Sequence, residues 1–119
     1  MATISRNHLS SCTDGIPVAL AVDSGNFTAI HTCTTTLADF EEVWIWLSNI
    51  STATEIVTLT FGGTSDNNKV KVQVPAESTV LAVPGWTFQG KSGGVAITGA
   101  STTADKVNVH GYINLIDAA

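Results

Sequence analysis

The chain contains few charged residues, and basic residues are the scarcest of them. Asp, Glu, Lys and Arg make up 13% of its 119 residues, about half the share of ~25% that typical soluble domains have. Five basic residues stand against ten acidic ones, and the basic residues form no cluster. Because nucleic acids are held by several Lys or Arg side chains on one surface, we expect no nucleic-acid partner. The same shortage argues against binding to anionic membranes.

We also expect no signal peptide, and the sequence contains no long apolar run and no cysteine motif. Residues 1–14 contain no apolar segment of the kind that a signal peptide needs. No apolar run approaches the roughly 18 residues of a membrane span. Cys12 and Cys33 are the two cysteines; they are not at CxxC spacing, and free thiols are favoured over a disulfide between them. We therefore expect synthesis in a reducing cytoplasm and no membrane partner.

No arrangement of residues typical of an active site or a metal centre is present. His8, His31 and His110 lie far apart, whereas zinc needs three or four converging ligands. GxSxG and GxxxxGK[ST] motifs are both missing. Glu41 and Glu42 are neighbours in a predicted strand, so they point to opposite faces and cannot act on one substrate atom. We expect no catalysis, no cofactor and no metal.

What the sequence does contain is a series of short segments with the two-residue period of β-strands. The clearest is 69–74, where Val alternates with Lys and Gln. Residues 37–42 predict at most one helical turn, and Pro84-Gly85 is expected to end a strand. Strands are predicted at 17–22, 28–35, 43–50, 55–61, 69–74, 79–83, 94–99 and 105–116.

About eight short strands separated by turns indicate an all-β protein. The expected architecture is an antiparallel β-sandwich, either jelly-roll-like or immunoglobulin-like. Residues 15–119 would form a single β-sandwich domain. Residues 1–14 lack a strand pattern and are expected to form an N-terminal arm that becomes ordered when it docks on another molecule.

The positions of charge and tryptophan indicate a contact surface. Residues 78–104 contain one charged residue, Lys91, and the cores of protein interfaces are depleted in charge. The strand with Trp44 and Trp46 is apolar on both faces, so its second face packs either on another layer of the domain or on a neighbouring subunit. Trp86 is expected in a loop, where a partner would cover it. The candidate contact residues are Ile4, Arg6, Trp44, Trp46, Trp86, Phe88, Lys91, Val95, Ile97, His110 and Tyr112.

The order of features from residue 43 to residue 116 resembles that of small phage virion proteins of the head decoration or capsid cement type. The features are a Trp-bearing strand that ends in Ser48-Asn49, a hairpin with a Gly62-Gly63 loop, the segment VQVPAESTVLAVPGW, and the final strand KVNVHGYINLI. The resemblance implies a β-sandwich that packs as a homotrimer on the lattice of the major capsid protein. It also implies an arm that threads across neighbouring capsid subunits, and it offers no catalytic residue.

The resemblance leads to a structural virion protein as the expected function. Such a protein would be made in the host cytoplasm and would act on the capsid surface, where it stabilises the phage head. A glycan-binding or adhesive module of a phage tail or fibre is the alternative. In that case Trp86 and its neighbouring loops would stack on sugar rings.

Overall fold

Ten β-strands make up most of residues 2–118, the part of the chain that the computed structural model describes. Met1 and Ala119, the outer ends of the predicted arm and domain, lie outside the described residues. No helix among the described residues is long and apolar enough to cross a membrane. The strands are β1 (Thr3–His8), β2 (Val18–Ala19), β3 (Ala21–Val22), β4 (Thr28–Thr32), β5 (Phe40–Asn49), β6 (Glu55–Phe61), β7 (Lys69–Val74), β8 (Thr79–Gln89), β9 (Ala96–Ser101) and β10 (Val107–Asp117), with short 3-10 turns at Thr13–Gly15 and Asp66–Asn68.

The strands form two sheets that face each other. In sheet A, β1 and β2 pair with successive parts of β10, and the order continues through β5 to β8. In sheet B, β3 pairs with β9 in parallel and β4 pairs with β9 antiparallel, and the order continues through β6 to β7. If β1 with β2 counts as one interrupted strand, and β3 with β4 as one position at the edge of sheet B, the order is that of an eight-stranded jelly roll. The predicted all-β sandwich is confirmed, with ten strands instead of about eight, and one strand pair, β3 with β9, is parallel instead of antiparallel.

Leu20 is the residue at which the chain passes from sheet A to sheet B. Its backbone N–H donates to the carbonyl of Val107 at 2.9 Å, and its own carbonyl accepts from the N–H of Asp105 at 3.0 Å. Its side chain is fully buried among the aliphatic residues that both sheets direct inward. The buried core comprises Leu9, Cys12, Leu20, Ile30, Cys33, Val43, Ile45, Leu47, Val57, Leu59, Val74, Val83, Ile97, Val107, Val109 and Ile113.

Strand β5 runs through the middle of sheet A, and its side chains alternate strictly between two environments. Val43, Ile45 and Leu47 are fully buried in the core. Trp44 and Trp46 lie on the opposite face, where they are half-buried. Because successive strand residues point to opposite faces, the same strand that builds the core also places two indoles on the outer face of sheet A.

The N-terminal segment differs from the expectation, since residues 3–8 form β1 and pair with β10 along their whole length. The prediction that this segment lacks a strand is therefore wrong. All six side chains of β1 are exposed, so no alternation of apolar and polar residues marks it in the sequence. Backbone hydrogen bonds to β10 hold the strand instead.

Strand β8 continues past Pro84-Gly85 to Gln89, so the prediction that this dipeptide ends the strand is wrong. β8 is an edge strand, where a proline without an N–H is tolerated. Irregular register with β5 absorbs extra residues of β8. Gly85 has a φ of +74°, and a Cβ there would lie 2.8 Å from Cζ2 of Trp44. Trp86 consequently lies in a strand instead of a loop.

The segment 37–42 begins with one hydrogen-bonded turn, in which the N–H of Asp39 donates to the carbonyl of Thr36 at 3.0 Å, and β5 follows from Phe40, in agreement with the expectation of at most one turn. The first residues of β5 pair with the end of β8, as Phe40 does with Gln89. The alternation of Phe40, Glu41 and Glu42 between half-buried and buried positions is that of a strand. Pairing with two neighbouring strands therefore limits the local helical preference to this one turn.

Gly111 allows β10 to approach β5 closely in the centre of sheet A. A Cβ at this position would lie 2.0 Å from the carbonyl oxygen of Trp44. We predict that Gly111→Ala lowers the free energy of unfolding by about 1–3 kcal/mol, because the paired backbones must separate. Asn108→Ala, on the outer face of the same strand, is the control and should change it by less than about 0.5 kcal/mol. Urea denaturation measures both, and equal stability of the two variants would contradict the close packing.

Candidate functional site

The outer face of sheet A carries a group of aromatic side chains, which we call the aromatic face: Trp44 and Trp46 of β5, His110 and Tyr112 of β10, and Arg6 of β1. The ring centroids of Trp44 and Trp46 are 6.4 Å apart, and those of Trp44 and Tyr112 are 6.1 Å apart. His110 lies 6.1 Å from Trp46, with an angle of 8° between the ring planes. Two neighbouring strands, β5 and β10, thus place four aromatic rings side by side on an outer surface.

A series of polar contacts holds the side chains of the aromatic face in place. The carboxylate of Glu42 accepts from Nε1 of Trp44 at 2.8 Å and from Nδ2 of Asn114 at 3.0 Å. Oδ1 of Asn114 accepts from Nε of Arg6 at 3.3 Å, and the guanidinium carbon of Arg6 lies 4.5 Å from the ring centroid of Tyr112. The hydrogen bonds from Trp44 and then Asn114 lower the pKa of Glu42. The carboxylate is therefore ionised at neutral pH and holds the rings in place.

The surroundings of the aromatic face are poor in charge and rich in exposed apolar surface. Arg6 and Glu42 are the charged side chains that the described strands of sheet A direct to this face. Ile4 on β1 is 72% exposed and Leu81 on β8 is 42% exposed. Leu81 adjoins Trp46 in the register, whereas Ile4 lies beyond the polar row that contains Arg6 and Glu42. Exposed apolar surface that is rimmed by polar residues is typical of a site that binds something.

Trp86 and Phe88, two other predicted contact residues, belong to a different group at the edge of the sandwich. Both pack on Phe61 of β6, with centroid distances of 5.5 Å and 5.6 Å. Trp86 remains 37% exposed. These residues join β8 of sheet A to β6 of sheet B and lie apart from the aromatic face.

The remaining predicted contact residues are spread over the region before and within β9. Lys91 is exposed in a turn, and Val95 is half-buried against the core. Ile97 is fully buried, so it is a core residue and not a surface residue. Its side chain points inward because it alternates with the outward Ala96 and Thr98 along the strand.

A buried polar cluster between the sheets was missed by sequence reasoning. Nε2 of His31, at the end of sheet B, lies 2.6 Å from Oε1 of Glu41 in sheet A. Nδ1 of His31 accepts from the backbone N–H of Ser10 at 3.0 Å. A β-bulge between Ala29 and His31 turns two consecutive residues of β4 inward, and such a bulge has no clear sequence signal here.

The tautomer of His31 decides whether this cluster is suited to bind a metal ion. His31, Glu41 and Cys33 offer nitrogen, oxygen and sulfur atoms within 4.8 Å of one another, which are donors that zinc accepts. Since Nδ1 accepts from Ser10, the ring proton is on Nε2 and points to Glu41. A metal on Nε2 would move that proton to Nδ1, where it would oppose the N–H of Ser10 and have only the Ser10 hydroxyl oxygen, 3.0 Å away, as an acceptor. The geometry therefore fits a hydrogen-bonded bridge between the sheets better than a metal centre.

The two cysteines are free thiols in the core. Burial, with a further contribution from the neighbouring Glu41, raises the pKa of Cys33 from 9.0 to about 12. Burial also raises the pKa of Cys12. Both thiols are therefore protonated and shielded at neutral pH, and protonated thiols are poor nucleophiles.

We predict that the folded protein does not react with a disulfide reagent at about pH 8 and that both thiols react after unfolding. Because the folded-state pKa of Cys33 is raised, its protonated form stabilises the fold below pH 9.0, and this contribution is lost as the pH rises toward about 12. The absorbance of the thiolate that the reagent releases measures the reaction of the cysteines. Denaturation at alkaline pH measures the loss of stability. Fast reaction of the folded protein would contradict the burial of Cys12 and Cys33.

The functional assignment rests on the geometry of the site, because the comparisons by sequence found no match. No family model matches the chain, and no curated protein matches its sequence. The aromatic face and its polar contacts are accordingly the basis of the functional conclusion.

Proposed function

We propose that this protein is a structural subunit of a phage virion, a capsid decoration or cement protein that packs as an oligomer on the capsid lattice. The observation that carries the proposal is the aromatic face, in which Trp44, Trp46, Tyr112 and Arg6 are held in fixed positions on an outer surface. Trp, Tyr and Arg are the residues most enriched at the energetic centres of protein interfaces. Side chains that are already fixed lose little conformational entropy on binding.

The size of this face suits a protein partner. The outer face of sheet A has four strands about 4.8 Å apart, of which β1 has six residues and the other three have ten or eleven, and at roughly 3.3 Å per residue they present a surface of roughly 600 Å². That is close to the ~800 Å² that each partner contributes to a standard interface. The two charged side chains, Arg6 and Glu42, already interact through Asn114, so covering the face leaves no isolated charge.

The architecture and the buried thiols are compatible with this role. Jelly rolls occur in viral capsid and lectin domains, although a fold by itself does not assign a function. Cys12 and Cys33 are free, so the fold needs no oxidising compartment and forms in a host cytoplasm. The proposed partners are other copies of this chain, in a homotrimer, and the major capsid protein, which together place the protein on the virion surface.

The alternative function, glycan binding through Trp86 as an adhesive module of a tail or fibre, has less support. That function requires one broad face of the indole to be open to a sugar ring. Trp86 lies in β8 and its ring packs on Phe61, so part of the indole surface is already covered. No loop presents it to solvent, because β8 continues to Gln89.

We predict that the purified protein is a trimer and that Trp46→Ala weakens its association, or its binding to capsids, at least about 30-fold. The reason is that this variant removes a ring in contact with Trp44, His110 and Tyr112. Light scattering over a dilution series measures the subunit association, and co-sedimentation measures capsid binding.

The matched control is Trp86→Ala, which removes an indole at the sandwich edge. It should lower thermal stability through loss of the Phe61 contact but leave association and capsid binding unchanged. A protein that is monomeric at all concentrations and has no affinity for capsids would contradict the proposed function. Equal effects of the two tryptophan variants on association would contradict the assignment of the aromatic face.

A further inference from the structure

Sheet B carries a polar cleft on its outer face, on the side of the sandwich opposite the aromatic face. The cleft has a volume of about 640 Å³, within the usual range for small-molecule sites of about 300–1,000 Å³. One wall comes from the segment that joins β3 to β4, and the other from the β6–β7 hairpin and the start of β7. The lining residues are Asp23, Gly25, Phe27, Thr64, Lys69 and Thr98.

Threonine hydroxyl groups form the floor of this cleft and its surroundings. The register places Lys69, Thr60 and Thr98 side by side across three strands. Thr58 and Thr60 point outward, opposite the core, yet each is only 2% exposed. Something must cover them, and the segment that contains Asp23 lies over this face, since Oγ1 of Thr58 donates to Oδ2 of Asp23 at 3.3 Å.

These contacts fix the polar groups of the cleft. Thr60 and Thr98 share a hydrogen bond between their hydroxyl groups. Asp23 is anchored through its backbone N–H, which donates to the carbonyl of Ser101 at 2.8 Å, as well as through the hydroxyl of Thr58. A carboxylate has about four acceptor sites, so Asp23 retains the capacity to accept further hydrogen bonds from a ligand.

The lining combines four kinds of chemical group. Asp23 supplies hydrogen-bond acceptors, Lys69 supplies donors, and Thr64 and Thr98 supply hydroxyl groups that do both. Phe27 supplies an apolar ring. A ligand that matches this set has several hydroxyl groups around a ring with an apolar face. Because one carboxylate and one ammonium group share the cleft, the ligand needs no net charge.

We infer that this cleft binds a neutral saccharide of one or two hexose units, with its hydroxyl groups on Asp23 and Lys69 and its apolar face on Phe27. A phosphate or another anion would be repelled by Asp23, and the ammonium of Lys69 is shared with Asp66, 3.9 Å away. The inference is independent of the proposed assembly role. The cleft lies on the side of the sandwich opposite the aromatic face, so a partner bound to that face leaves the cleft accessible.

The test is a titration of the full chain with glucose, galactose, mannose, N-acetylglucosamine and their dimers, followed by two-dimensional NMR of the backbone amides. At least one sugar should shift the amides of residues 23–27, Thr64, Lys69 and Thr98 in a saturable way. Lys69→Ala should weaken that binding about tenfold, because it removes a charged hydrogen-bond donor. Lys71→Ala, the next outward residue on the same strand, is the control and should bind like the unaltered chain.

Phe27→Ala gives a second variant, and its amide spectrum shows directly whether the fold is retained. Absence of saturable binding by every sugar would overturn the inference, and so would shifts confined to residues of the aromatic face. Binding of free amino acids or inorganic phosphate in preference to sugars would also overturn it. Failure of this test leaves the association measured by light scattering unaffected, so the two proposals fail separately.

Discussion

The position of β5 between β10 and β8 is the constraint on which the rest of the structure depends. Its period of two residues directs Val43, Ile45 and Leu47 into the core and thereby forces Trp44 and Trp46 onto the outer face. The neighbouring strands accommodate this arrangement through two glycines. Gly111 lets β10 approach the Trp44 carbonyl, and Gly85 leaves room for its indole. The aromatic face is therefore fixed by the same packing that stabilises the core.

Much of this arrangement follows from the sequence because it rests on a local repeat. The bounds of β6 and β7 match the predicted segments 55–61 and 69–74, since apolar and polar residues alternate there. The two-sided apolar pattern around Trp44 predicts a strand with two packed faces. The polar face of the last strand likewise places His110 and Tyr112 together. The pattern alone does not show which strands are neighbours. It therefore does not predict that these two rings contact those of β5.

The features that the sequence does not reveal depend on tertiary context. β1 has six exposed side chains, so its existence depends on the free edge of β10 and not on its own hydrophobicity. β8 passes through Pro84 because it lies at an edge, where a missing N–H costs no ladder bond. His31 and Glu41 are ten positions apart and meet across the two sheets after a bulge. The sheet B cleft arises in the same way, from loops that fold back over a row of threonines.

One measurement tests directly whether the outer faces of sheet A and sheet B have different roles. Hydroxyl-radical footprinting with mass spectrometry compares the oxidation of side chains in the assembled protein and in dissociated subunits. The account predicts protection of Trp44, Trp46 and Tyr112 in the assembly, with Phe27 on sheet B oxidised equally in both states. Unchanged oxidation of the three aromatic residues on assembly, with protection of Phe27 instead, would contradict it.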